Sequence, residues 1–202
     1  KIPYINAFVN GDIYNYKEII KEYKKKFNLK TRCTSDTVAV PYIFTNKKIK
    51  FNDEFIKSKL NKLVGSYALA LETNFEPNKV LISKTGSQGM YIGISEDNFI
   101  FSSDVYGLVE NCRYYYSMPS DFYFFIDKTK NRFPLILNSL NSNEKRIIKT
   151  KDFIESRITT RDISKMKYSH FLEKEINQTE SILDRTCISH INLKKLNNKQ
   201  LN

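Results

Sequence analysis

Ile5-Asn6-Ala7-Phe8-Val9-Asn10-Gly11-Asp12-Ile13-Tyr14-Asn15-Tyr16 sets the order of elements for the whole chain. Ile5 to Val9 is apolar and β-prone, and Asn10-Gly11 is a pair that readily adopts the positive φ of a tight turn, so a strand is predicted to end at Asn10. Beyond it Tyr16, Ile19, Ile20, Tyr23 and Phe27 fall at i, i+3, i+4, i+7 and i+11, the spacing of a helix with one buried face. The chain therefore opens as strand, sharp change of direction, helix.

Working outward, Thr34, Ser35 and Asp36 are each able to cap a helix that runs to Phe44, and a further helix is predicted over Asp53 to Leu63 with Phe55, Ile56, Leu60 and Leu63 inward. The pattern then changes to short alternating, β-branched or aromatic segments. These are Ser66 to Glu72, Lys79 to Lys84, Met90 to Ile94, Phe99 to Ser102, Tyr114 to Ser117 and Phe122 to Ile126, separated by turn signals such as Glu76-Pro77-Asn78 and Gly86. Lys128 to Ser164 is more polar and less periodic, weakest at Asn138 to Asn143, and is read as strand ends and loops. A last helix, about His170 to Arg185, places Phe171, Leu172, Ile176, Thr179, Ile182 and Leu183 on one face. Helices segregated from a run of antiparallel strands make the fold class α+β.

Composition narrows the function classes. With 202 residues, 41% of them hydrophobic, the chain is long enough for one well-packed domain, and no apolar run nears the roughly 20 residues of a membrane span. Cys33, Cys112 and Cys187 are odd in number and widely spaced, which suggests neither a disulfide framework nor a metal site; a reducing cytoplasm is the expected setting, and no cofactor is implied. The net charge of +11 comes from scattered lysines. The tight run Lys24-Lys25-Lys26 falls at a helix end, where cations meet the dipole and solvent, so neither nucleic acid nor membrane is expected as a partner. Lys1-Ile2-Pro3-Tyr4 shows no initiator Met and no signal region, so a removed start or a fragment is expected.

Five segments in order then carry a family likeness. Asn10-Gly11-Asp12-Ile13-Tyr14-Asn15-Tyr16 resembles the Asn-Gly-x-Ile-x-Asn-Tyr segment of class II glutamine amidotransferases, the N-terminal-nucleophile hydrolase group. Thr34-Ser35-Asp36-Thr37 is similar to that family's Thr-Asp-Thr segment, at the matching distance. Leu63-Val64-Gly65-Ser66-Tyr67-Ala68-Leu69-Ala70 is similar to its Leu-x-Gly-Ala-Tyr-Ala-Leu-Ala strand. Lys84-Thr85-Gly86-Ser87, with Asn98 to Asp104, resembles its later strand pair. Tyr168-Ser169-His170-Phe171-Leu172-Glu173-Lys174-Glu175-Ile176-Asn177-Gln178 is similar to a helix of the glutamine-fructose-6-phosphate aminotransferase (isomerizing) branch, also called glucosamine-6-phosphate synthase.

The resemblance implies a four-layer αββα sandwich, here truncated at its N-terminus, with residues 1–186 as a partial glutaminase domain and 187–202 as the start of a linker to a C-terminal sugar-isomerase domain. It implies L-glutamine as substrate, those sugar-isomerase domains as partners, a homo-oligomeric parent, and ammonia supplied for conversion of fructose 6-phosphate to glucosamine 6-phosphate. Asn10 and Gly11 match the oxyanion-hole donors, Asn10 through its side-chain amide and Gly11 through its backbone N–H; the dipeptide alone reads as a turn, and Asp36 at the matching distance favours the donors. Asp36 matches the carboxylate that takes glutamine's α-ammonium, and on its own chemistry it is also an N-cap. The family has an acidic residue where Val38 stands. Its nucleophile, a Cys at a free N-terminus, matches no cysteine here, so this chain alone is expected to be inactive. An asparagine-synthetase-like amidotransferase, and a non-catalytic remnant serving as a binding or dimerisation module, remain as alternatives. His170 is expected to be structural, and Lys174-Glu175 a helix-surface pair or a contact to the following domain.

Overall fold

The computed structural model describes residues 4–27, 34–45, 52–95, 98–127, 129, 133–159 and 164–190. It forms two compact units, Lys1–Ile158 and Thr159–Asn202. The first unit begins with β1 (Ile5–Ile13), α1 (Tyr16–Phe27), a 3₁₀ turn at Asp36–Val38, α2 (Ala39–Phe44) and α3 (Asp53–Leu60). The strands β2 (Gly65–Thr73), β3 (Lys79–Thr85), β4 (Tyr91–Ile94) and β5 (Phe99–Ser102) follow, then a 3₁₀ turn at Val105–Leu108. β6 (Tyr114–Ser117), β7 (Phe122–Asp127), β8 (Leu135–Ser139), β9 (Lys145–Ile148) and β10 (Ile154–Glu155) complete it.

Two antiparallel sheets result, one of six strands in the order β1-β2-β3-β7-β8-β9 and one of four in the order β10-β6-β4-β5. Alternation along the strands decides the layers, since successive side chains leave opposite faces. On the six-stranded sheet Val9, Tyr67, Leu69, Leu71, Leu81 and Tyr123 join Ile19, Tyr23, Ile43, Phe44, Ile56 and Leu60 of the helices in one apolar cluster. The opposite face sends Ala68, Ile82, Phe122, Phe124, Leu135 and Leu137 against Ile92 of the smaller sheet in a second cluster. Each fully buried side chain of this kind contributes roughly 1.5–3 kcal/mol. The outer face of the smaller sheet is capped at Gly93, where an added Cβ would run into Cys112 and Leu108 of the segment around the second 3₁₀ turn. Within the first unit the layers are helix, sheet, sheet, and then this short turn.

Two expectations about the strands need correction. The first strand does not stop at Asn10: the ladder continues as Asn10↔Ala68, Gly11↔Tyr67, Asp12↔Ser66 and Ile13↔Gly65. Gly11 supplies its positive φ, 111°, inside the strand, and the chain turns at Tyr14-Asn15 instead. The stretch 128–164, read as strand ends and loops, holds β8, β9 and β10. Its polar residues obscured this because they build the hairpin: Ser139 N–H donates to Glu144 O, and Ser139 Oγ accepts from Asn141 N and Ser142 N. β9 is moreover an edge strand whose Lys145 and Arg146 stay in solvent, so apolar alternation is absent there.

In the second unit α4 (Phe171–His190) forms where the periodicity placed it, yet Phe171, Leu172, Ile176, Ile182 and Leu183 are about half exposed or more. Lys174, expected in a helix-surface pair or in a contact to the following domain, is instead buried, and its Nζ donates to Ser164 O at 2.8 Å. A lysine can lie along a helix in this way because its long stem is apolar and its tip finds a carbonyl. Among the described residues no helix is long and apolar enough to cross a membrane.

Candidate functional site

β1 is an edge strand of the six-stranded sheet, and this position shapes everything near Asn10. Tyr14 N–H donates to Val64 O, toward β2, so by the alternation of an antiparallel ladder the N–H of Ile13 points to the other side of β1. Asp36 meets it there: Ile13 N–H donates to Asp36 Oδ2 at 2.8 Å. The same alternation sends the N–H of Gly11 toward that edge, about 7 Å along the strand from Ile13. Asp36 does not cap the 3₁₀ turn; Ser35 is the N-cap, accepting from Thr37 N, while Asp36 Oδ1 accepts from Thr37 N at 2.8 Å. Ser35 Oγ also donates to Asp36 Oδ1, at 3.4 Å; a carboxylate has about four lone-pair sites, so these three donors still leave acceptor capacity on Asp36.

Asn10 leaves β1 on the side away from the helices, exposed, and its Nδ2 donates to Gln88 Oε1 at 3.1 Å. Gln88 comes from the loop between β3 and β4. Gly86 turns that loop at φ 70°, and Ser87 N–H donates to Ser66 Oγ at 2.9 Å, tying it to the start of β2. Gly11 is tightly enclosed by the same residues: a Cβ placed on it would overlap Ser66 O and lie 2.6 Å from Gln88 Cγ. Asn10, Gly11 and Gln88 thus form one close group, with Asp36 on the same strand end. Beside it a solvent-open cleft of about 210 Å³ is lined by Phe8, Asn10, Ala68, Met90, Phe101 and Ser103. That is smaller than the roughly 300–1,000 Å³ of most small-molecule sites.

The other candidates stand elsewhere. Cys112 is buried against Gly93, and burial pushes its thiol pKa up, which disfavours a thiolate. Cys187 is exposed on α4, and Cys33 lies outside the described residues. His170 is exposed at the start of α4, where its carbonyl accepts from Lys174 N–H; the side chain of His190 lies outside those described. No group of His, Cys, Asp or Glu among the described residues could hold a metal ion. Gln88 was not singled out by the sequence: the Gly86-Ser87 turn was legible, but nothing in it marks the next side chain as a neighbour of Asn10.

Known proteins share this arrangement of elements. A family described as a glutamine amidotransferase domain matches residues 4–110. The glutamine-fructose-6-phosphate aminotransferase [isomerizing] of Clostridium acetobutylicum is 29% identical over 195 residues, covering 93% of this chain and 29% of that protein. The enzyme of the same name from Thermococcus kodakarensis is 28% identical over 179 residues, covering 87% of this chain and 28% of its own. The chain thus spans less than a third of the length of these relatives. A solved glutamine phosphoribosylpyrophosphate amidotransferase from B. subtilis aligns with TM-score 0.56 at 14% identity, over 69% of this chain and 31% of its own, a likeness of fold. Residues 4–110 carry β1, the Asp36 turn, β2 and the Gln88 loop, and by that match the chain belongs to the glutamine amidotransferase domain family.

Proposed function

We propose that this chain is the glutamine-binding part of an amidotransferase that releases ammonia from L-glutamine for the conversion of fructose 6-phosphate to glucosamine 6-phosphate. The observation that carries the proposal is the hydrogen bond from Ile13 N–H to Asp36 Oδ2, which sets a carboxylate with spare acceptor capacity on the strand that bears Asn10 and Gly11. Glutamine's α-nitrogen and side-chain carbonyl lie roughly 5–6 Å apart in an extended conformer, close to the about 7 Å between Gly11 and Ile13.

In this reading the α-ammonium rests on Asp36, since a desolvated cation requires an opposing charge. Attack on the carboxamide carbon develops negative charge on its oxygen, and Asn10 Nδ2–H and Gly11 N–H donate to it there; each such donor is worth ~3 kcal/mol. The resemblance assigns the attack to a Cys with a free α-amine, which Cys33, Cys112 and Cys187, all internal, do not have. The relatives' names favour the sugar acceptor over an asparagine-synthetase-like one. Sugar-isomerase domains would then consume the ammonia in a homo-oligomeric parent, with residues 187–202 as the start of the connection.

The test is ammonia release from glutamine by the protein expressed from its natural start codon. Asp36→Asn removes the charge and keeps one side-chain oxygen to accept from Ile13 N–H or Thr37 N–H. It is expected to raise KM for glutamine about 30-fold while changing kcat far less, from the usual strength of hydrogen bonds to charged groups. An unchanged KM overturns the role given to Asp36.

A further inference from the structure

The structure assigns to Gln88 a positioning role at this site: its side-chain oxygen fixes which way the amide of Asn10 faces, and so keeps a donor N–H turned toward the substrate oxygen. The inference rests on the role proposed above for Asn10. An Asn side chain has a broad, roughly two-fold preference about its last torsion, so an exposed Asn10 does not by itself hold its nitrogen in place. Gln88 Oε1, 3.1 Å from Asn10 Nδ2, accepts one of its two hydrogens and would repel Oδ1 from the same spot. With Gln88 Oε1 turned toward Asn10, as it is here, the amide nitrogen of Asn10 faces Gln88 and the second N–H of Nδ2 is left for the oxyanion.

The backbone that carries Gln88 is fastened in place. Its loop is fastened where Ser87 N–H donates to Ser66 Oγ, and Ser66 is paired across the ladder with Asp12, next to Gly11. Gly86 permits the approach, because a Cβ there would overlap Ser66 Oγ. The Gln88 chain also lies over Gly11, so it borders both residues proposed as donors. The side chain suits the task by being neutral. A carboxylate in its place would accept from Asn10 equally well but would oppose the negative charge formed during reaction.

Steady-state glutaminase kinetics on the protein expressed from its natural start codon test this. Gln88→Leu, which removes the acceptor at similar size, is expected to lower kcat about tenfold, the usual scale for a residue orienting a site group, with KM changed less than about twofold. Gln88→Glu is expected to be slow at neutral pH and to recover relative to the unaltered protein as pH falls toward the carboxyl range near 4.3, because the protonated acid is neutral and shaped like glutamine. In an Asn10→Ala background Gln88→Leu should leave the already lowered kcat unchanged, since the two act as a unit. An equal further fall in that background overturns the inference while leaving the glutamine site standing. An unchanged kcat in Gln88→Leu, or a raised kcat with lowered KM, also overturns it; the latter would mean that Gln88 occupies the substrate's place. Absence of ammonia release from the unaltered protein, or full rate in Asn10→Ala, defeats the site proposal and this inference together.

Discussion

Gly11 shows how one residue is constrained twice over. Its φ of 111° is a conformation that L side chains rarely adopt, and the space beside its Cα is filled by Ser66 O, a backbone atom that cannot swing aside. Gly11→Ala is therefore expected to destabilise the protein by about 2 kcal/mol or more, read from urea unfolding; an unchanged midpoint contradicts that. The positive φ was legible in Asn10-Gly11, but its location within a strand was not, because the strand is prolonged by β2, more than fifty residues away. Asp36 was legible as a polar residue opening a turn, and its reach to Ile13 N–H is again a long-range fact.

Tyr67 belongs to the same scale. It is almost wholly buried, and burial first, then the Asp121 carboxylate, raises its phenol pKa well above the ordinary value. Below about pH 10 folded and unfolded chains both hold the proton. As pH rises beyond that, the unfolded chain releases it while folded Tyr67 keeps it, so the stability this group contributes is lost with rising pH. Relative to Tyr67→Phe, the unaltered protein should lose about 1 kcal/mol of stability between pH 8 and pH 11, measured by denaturant unfolding at each pH. A constant difference between the two contradicts the burial argument.

At the scale of elements, local chemistry was readable wherever it was self-contained. α1 follows its apolar spacing, and α3 is capped by Asn52, whose Oδ1 accepts from Phe55 N at 2.8 Å. The β8–β9 hairpin was missed because its Ser139 and Asn138 are buried for pairing and turn-making rather than for hydrophobicity. Asn15 links elements in a way that spacing does not reveal. Its Nδ2 donates to Lys62 O at 2.8 Å and its Oδ1 accepts from Val64 N at 3.0 Å, joining the end of β1 to the start of β2. Asn15→Ala is expected to cost about 1 kcal/mol in urea unfolding, since water can replace part of an exposed pair of bonds. A loss below a few tenths would show that the β1–β2 ladder alone holds this junction.

For the whole molecule, both apolar clusters lie within the first unit, one on each face of the six-stranded sheet. The α+β order was legible because helices and strands occupy separate stretches of sequence. The layering was not, since it depends on which side chains of Leu69-Ala70-Leu71 and Phe122-Tyr123-Phe124 face helices and which face the second sheet. That arrangement leaves β1 at an edge, and the edge is where Asn10, Gly11 and Asp36 gather.

The most direct measurement is a crystal structure of the protein, expressed from its natural start codon, with L-glutamate, the product of glutamine hydrolysis, bound. The α-ammonium is expected within about 2.7–3.2 Å of the Asp36 carboxylate, and a side-chain oxygen within the same distance of Asn10 Nδ2 and Gly11 N. Glutamate bound away from the β1 edge, with Asp36 still held by Ile13, Ser35 and Thr37 and by no ligand, would contradict the account.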